Sequence, residues 1–279
     1  MKVIVTNSYD ETCAVIANMI KELVNAKPDA KLGLATGGTP VPIYKKLIEM
    51  NKAGEVDFSR VHTVNLDEYC GIPGTHDQSY RYFMDTNLFD HINIDKKNTF
   101  VASGMGDFEA NARELEEKVR EGGAADLQLL GIGNNGHIAF NEASDHLIAV
   151  AHTEKLTEST IQANSRFFEK KEDVPTTAIT MGMGDILAAK CVVLIATGLA
   201  KTDAIRGLVM DDAITTHNPS TMLKMHENVY VVIDQELADA VGVSRPAIRK
   251  YLKPKGGAAT TPSAATVCAI ARYFGTTPD

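Results

Sequence analysis

His137 and Glu142 stand five residues apart in the stretch GIGNNGHIAFNE, residues 131–142, among glycines and asparagines that add nothing to an apolar core. In a loop the two side chains can meet. A carboxylate beside an imidazole orients the ring and supports its positive form, the arrangement of a proton-transfer pair. A lone histidine is more often structural; one in a glycine-rich loop with a carboxylate in reach reads as functional. NLDEYCG sets Asp67 and Glu68 directly after an apolar run. A carboxylate there is partly desolvated, its pKa rises, and it can serve as a general base near neutral pH. The plainer reading of Asp67 is a turn cap. In ATGGTP, residues 35–40, Thr36, Gly37, Gly38 and Thr39 lead from a strand towards a helix start. Glycines let backbone approach a ligand closely, and free amides at a helix start favour an anion such as phosphate. An ordinary strand-to-helix turn is the alternative. Lys201 in GLAKTD and Arg166 in ANSRFF are two more candidate phosphate ligands, the guanidinium because its geometry matches phosphate oxygens. Either alone is ordinarily a surface residue, and each gains weight from the other. There is no GxSxG elbow, HExxH helix, Walker loop or full GxGxxG spacing. The residues by themselves point to acid–base chemistry on a small phosphorylated molecule, with no metal or cofactor, and do not name the molecule.

Such groups need a scaffold that brings distant loops to one place. The first 234 residues alternate β-branched runs with helical patterns, the βαβα signature of a Rossmann-like α/β fold: a mainly parallel sheet with helices on both faces. Strands are expected at 2–6, 31–36, 60–66, 126–133, 176–181, 191–197 and 228–234. A helix carrying Cys13, Ile16, Ile20, Leu23 and Val24 inward is expected between the first two, and a charged amphipathic helix with a solvated outer face at 106–121. In such sheets ligands sit beyond the carboxyl ends of the strands. GGTP, DEYCG, NNGHIAFNE and GLAKTD all follow strands and so fall on that edge.

At 279 residues the chain can bury a sizeable core. Its cysteines, at 13, 70, 191 and 268, form no CxxC pair, so neither a disulfide framework nor a zinc site is expected, and a reducing cytoplasm is the natural compartment. No signal-peptide core or membrane-spanning apolar run is present. A net charge of −8 opposes nucleic-acid binding by the body, but it is uneven: residues 235–279 carry six Lys or Arg against three acids, a balance of +3, which leaves −11 on the first 234.

Taken in order, LATGGTPVPIYKKL, VNLDEYCGI, HDQSYRYFM, GIGNNGHIAFNE, ANSRFF, GLAKTDAI and STMLKMHENVYVVID resemble one family, the glucosamine-6-phosphate deaminases (isomerases), over roughly five sixths of the chain. The resemblance implies ring opening, aldose–ketose isomerisation and loss of ammonia, giving fructose 6-phosphate. It assigns ring opening to His137, helped by Glu142 and Asn135, proton transfer from C2 to C1 to Asp67, and the phosphate to Thr36, Gly37, Gly38, Thr39, Arg166 and Lys201. Many members have Asp where this chain has Asn135. An amide carries no charge, so His137 is expected to lean on Glu142 alone, with Asn135 supporting the geometry through hydrogen bonds. Ala143 replaces a usual proline. Members regulated by N-acetylglucosamine 6-phosphate carry Arg and Lys where His152 and Glu154 stand, so that site, and with it the main reason to expect a regulated hexamer, is expected to be absent. A related phosphosugar lactonase or isomerase is disfavoured by the DEY and GHIAFNE loops together.

Beyond Asp234 the resemblance changes. ELADAVGVSRPAIRKYL resembles a phage-repressor-type helix-turn-helix, with Leu237, Ala238 and Val241 inward, Gly242 at the turn and Arg245, Arg249 and Lys250 on the exposed face of a second helix. PSAATVCAIARYFG fits a helix that follows. The chain is thus read as a catalytic body, 1–234, and a short basic helical tail, 235–279. The tail fits three descriptions: a recombined remnant, a self-association element, or a DNA-binding piece that would make the protein a sugar-phosphate-sensing regulator.

Overall fold

A computed structural model describes residues 1–243. The readings made above for the rest of the tail lie outside these residues. The chain begins with β1 (Lys2–Thr6), α1 (Tyr9–Ala26), β2 (Lys31–Leu34), α2 (Val41–Lys52) and β3 (His62–Asn65). Next come β4 (Asp67–Tyr69), α3 (Tyr80–Asn87), β5 (Thr99–Phe100), α4 (Phe108–Arg120) and β6 (Leu127–Leu130). The second half adds β7 (His152–Lys155), α5 (Glu158–Asn164), β8 (Thr177–Thr180), α6 (Met183–Leu187), β9 (Val192–Ala196), α7 (Thr202–Val209), β10 (Val229–Asp234) and α8 (Gln235–Val241).

Local chemistry explains the elements. α1 starts at Ser8, whose hydroxyl accepts from the Glu11 amide, while Glu11 reaches back to the Asn7 amide at 2.7 Å, a reciprocal cap. Its buried stripe includes Cys13, Ile16, Ile20, Leu23 and Val24, the residues whose spacing suggested it. α4 buries Ala112, Leu115 and Val119 and leaves its charged side to solvent. Seven strands form one parallel sheet in the order β1-β10-β9-β6-β2-β3-β5. Successive strand residues face opposite sides of a sheet, and every residue of β6, β9 and β10 is buried, so the sheet is covered on both faces.

Two expectations need correction. The 176–181 strand is not in this sheet: β8 lies at the centre of a separate three-stranded antiparallel sheet, between β4 and β7. And Asp67–Tyr69 is not a loop but β4 itself, paired with β8 from Asp67↔Thr180 to Tyr69↔Ala178. Only Leu66 separates β3 from β4. Its N–H bonds Leu34 O in the main sheet, and its carbonyl accepts from the Met181 amide just beyond β8. A second, smaller core of Tyr69, Phe140, Leu156 and Ala178 lies by the small sheet, with Tyr80 and Phe168 packed against it.

α8 belongs physically to the body. Asp234 caps it, Gly242 ends it in the left-handed region at φ +88°, and Leu237 and Ala238 are fully buried. Leu237, Ala238 and Val241, which the repressor-like reading turns inward, lie in the main core of the body, where α8 packs by α7 and β10 among others.

Candidate active site

The chain leaves β2 towards β3 and β5 on one side and returns through β6 to β9 and β10 on the other, so the switch in direction lies between β2 and β6. Loops beyond such a point leave a crevice for ligands. Here a cavity of roughly 330 Å³ opens there, lined by Thr36, Gly37, Gly38, Thr39, Asp67, Asn135, His137, Arg166 and Lys201 among others. Glu142 and Glu68, both singled out from the sequence, are not in its wall; Glu142 is buried behind His137.

Residues 35–40 join β2 to α2. Gly37 has φ +92°, which explains a glycine there, and Pro40 precedes α2 as an N-cap without a side-chain cap bond. Two tyrosines fix the loop from behind: Tyr44 donates to Ala35 O and Tyr9 to Thr39 O at 2.7 Å. Lys201 closes the short turn that follows Gly198 after β9, and Arg166 sits in the turn after α5, its guanidinium 4.7 Å from the Phe167 ring centre. Burial, and then the positive charge of Arg166, lower the Lys201 pKa. Two cations that disfavour each other in one cleft are balanced by an anion.

Asp67 is 6% exposed, and its carboxyl is pushed up to about 8, first by burial and then by the charge of Glu68. Glu68 points elsewhere: it accepts the amides of Tyr69, Tyr80 and Arg81 at 2.9–3.0 Å, tying β4 to the start of α3. Burial raises Glu68 to about 7 against the pull of those donors. The small sheet thus separates the two acids that are adjacent in DEY.

The 131–142 loop is a built turn. The Gly133 amide bonds His137 O, and a Cβ on Gly133 would fall 2.3 Å from the His137 ring, so that glycine makes room for the imidazole. Ala139 holds φ +53°, a strained value for a residue with a side chain, between His137 and Phe140. His137 Nδ1 lies 3.3 Å from Glu142 Oε2, close in distance though not aligned as a hydrogen bond. Asn135 donates to the same oxygen at 3.2 Å and accepts the His137 amide through its own Oδ1. Burial works against the Glu142 charge, but His137, Thr160 and Asn135 outweigh it and hold the carboxyl at about 2. Thr160 and Thr157, at the start of α5, bond the other carboxylate oxygen, Oε1. Neither threonine was singled out from the sequence, nor were Tyr80, Phe140 and Asn164, which also line the crevice.

His152 and Glu154 lie on β7, with His152 Nε2 3.3 Å from Glu154 Oε2 and Nδ1 2.8 Å from Val150 O. Among the described residues, no cluster of His, Cys, Asp and Glu could hold a metal ion, and no helix is long and apolar enough to cross a membrane. Cys13, Cys70 and Cys191 are buried thiols.

The parallel sheet and its crevice define a Rossmann-like α/β enzyme in which acid–base groups and cations face one cavity. The family model for glucosamine-6-phosphate isomerases and 6-phosphogluconolactonase matches residues 6–232. The chain belongs to this family. It is 53% identical over 242 residues to the glucosamine-6-phosphate deaminase of Clostridium beijerinckii, covering 86% of this chain and 100% of that one. The Clostridium perfringens deaminase is 50% identical over 239 residues, 85% of this chain and 98% of its own. Among solved structures, a monomeric glucosamine-6-phosphate deaminase superposes with a TM-score of 0.83 at 39% identity, covering 86% of this chain and 100% of that one. The Thermotoga maritima 6-phosphogluconolactonase, at 20% identity and a TM-score of 0.66 over 84% of this chain and 99% of its own, shares the fold.

Proposed function

We propose that this chain converts glucosamine 6-phosphate and water to fructose 6-phosphate and ammonia. The reading is carried by one observation: a desolvated carboxyl, Asp67, and a carboxylate-backed histidine, His137, face one crevice with Lys201, Arg166 and the 36–39 loop. The homology to the deaminases supports it.

The phosphate would take the amides of the 36–39 loop and the two cations, leaving the sugar ring towards Asp67 and His137. His137 moves the proton from the C1 hydroxyl to the ring oxygen, and the C1–O5 bond breaks to give the open aldehyde. Glu142, fixed by Asn135 and the two threonines, holds the imidazole for that transfer. Asp67 takes the C2 proton, giving an enolamine, and returns it to C1, leaving an imine at C2. Water adds to C2, the C–N bond breaks, and ammonia leaves. Asn135 supplies geometry in this scheme and no charge. The pairing of His152 with Glu154 supports the reading that N-acetylglucosamine 6-phosphate finds no cation pair there.

Asp67→Asn is the direct test. An amide of the same shape cannot accept the C2 proton, so ammonia release should fall by roughly 10²–10⁴-fold while substrate affinity changes little. Parental turnover by that variant would overturn the assignment.

A further inference from the structure

We propose that Asn218 is a positioning residue for this reaction. Its side-chain amide bonds both the helix that follows Lys201 and the hydroxyl of Ser220, whose own backbone amide holds the loop that carries His137, and so sets the span between the ring-opening group and the phosphate anchor. The inference rests on the deaminase reading and deepens it.

Asn218 is half-buried and does not line the crevice. Its Nδ2 donates to Ala204 O at 3.0 Å, in the first turn of α7, which starts directly after Lys201. Its Oδ1 accepts from Ser220 Oγ at 2.6 Å, and the amide of Ser220, itself fully buried, donates to Gly136 O at 2.8 Å. Gly136 is the residue between Asn135 and His137. One short segment thus grips the catalytic loop and the anchor helix together.

The glycines on both sides support this assignment. A Cβ on Gly136 would lie 1.9 Å from Asn218 Oδ1, and one on Gly207, inside α7, would lie 2.7 Å from Asn218 Nδ2. Gly136 also needs its glycine for φ +85°. Gly207 does not show such a φ, and glycine is the poorest helix former after proline, so its place in α7 follows from the room it leaves for the Asn218 amide. Asn218 is itself braced: Thr221 Oγ1 donates to its carbonyl at 2.7 Å and accepts from the Thr215 amide at 2.9 Å.

If the span is set here, loosening it misplaces His137 relative to a substrate held by its phosphate, and an error of about 1 Å costs on the order of 100-fold in rate. The experiment measures kcat and KM for ammonia release, inhibition by inorganic phosphate, and the thermal midpoint for the parent, Asn218→Ala and Gly207→Ala. Asn218→Ala should lower kcat roughly 10–100-fold and leave phosphate inhibition within about threefold, because the anchor itself is untouched. Gly207→Ala should lower kcat in the same sense without lowering the midpoint, because alanine favours the helix while its methyl displaces the amide. Parental kcat in both variants overturns the proposal. So does a loss of phosphate inhibition and midpoint in step with kcat, which would mark Asn218 as merely structural. A parent that releases no ammonia overturns the deaminase reading and this inference with it, whereas an active parent with two fully active variants overturns only this one.

Discussion

Asp67 and Glu142 are carboxylates pushed in opposite directions, and this makes their ionisation testable through stability. Asp67, at about 8 when folded, lies above its ordinary value, so its protonated form stabilises the fold. That contribution is fully present below about pH 4 and is lost as pH rises through 8. Asp67→Asn should therefore melt higher than the parent at pH 8–9, with the difference closing towards pH 4. Glu142, held near 2, contributes in the opposite window: its stabilisation is present above about pH 4.5 and is lost as pH falls through 2. Glu142→Gln should melt lower than the parent at pH 7, with the gap narrowing on acidification. Thermal melts across pH check both, and parallel offsets at every pH would show that ionisation is not the cause. Asp67, His137 and Lys201 were legible in the sequence because each follows a strand and stands out chemically. Thr160 was not: it meets Glu142 from eighteen residues further along the chain, and a threonine near a helix start carries no mark beyond capping.

Among the elements, the 35–40 loop owes its shape to groups on the two helices beside it. Tyr9, from α1, holds Thr39 O with a bond that Tyr9→Phe removes without touching the crevice wall. Losing one such bond costs about 1 kcal/mol. Its functional effect should fall on the anchor: KM should rise several-fold with kcat nearly unchanged, which steady-state kinetics would show. A fall in kcat alone would mean that the loop serves the chemistry instead. Elements were read unevenly. Long β-branched runs such as VVLIA mark themselves, and so do helices with a clear buried stripe. The three residues of β4 do not, because Asp-Glu-Tyr has neither the length nor the alternation that separates a strand from a loop; partnership with β8 makes it one. The same partnership moves β8 out of the parallel sheet, since a four-residue segment, Thr-Ala-Ile-Thr, does not encode which sheet accepts it.

Across the whole molecule, the packed body continues past the place where the family match ends. The match closes at 232, yet α8 packs its apolar face on α7 and β10, and Arg206 donates to Ala240 O at 2.7 Å. A chain stopped after Val243 keeps α8 and serves as the reference. One stopped after Asp234 should lose on the order of 2 kcal/mol from Leu237 and melt lower, which scanning calorimetry would measure. Equal stability of the two truncations would show that α8 is dispensable. The acid–base machinery depends on a still smaller feature. Leu66 sends its N–H to one sheet and its carbonyl to the other, and Asp67 is the next residue. A base at Asp67, as proposed, would begin each turnover with its backbone torsions already spent: the ordering that a loop-borne carboxylate would give up on meeting its substrate was given up once, when the chain folded.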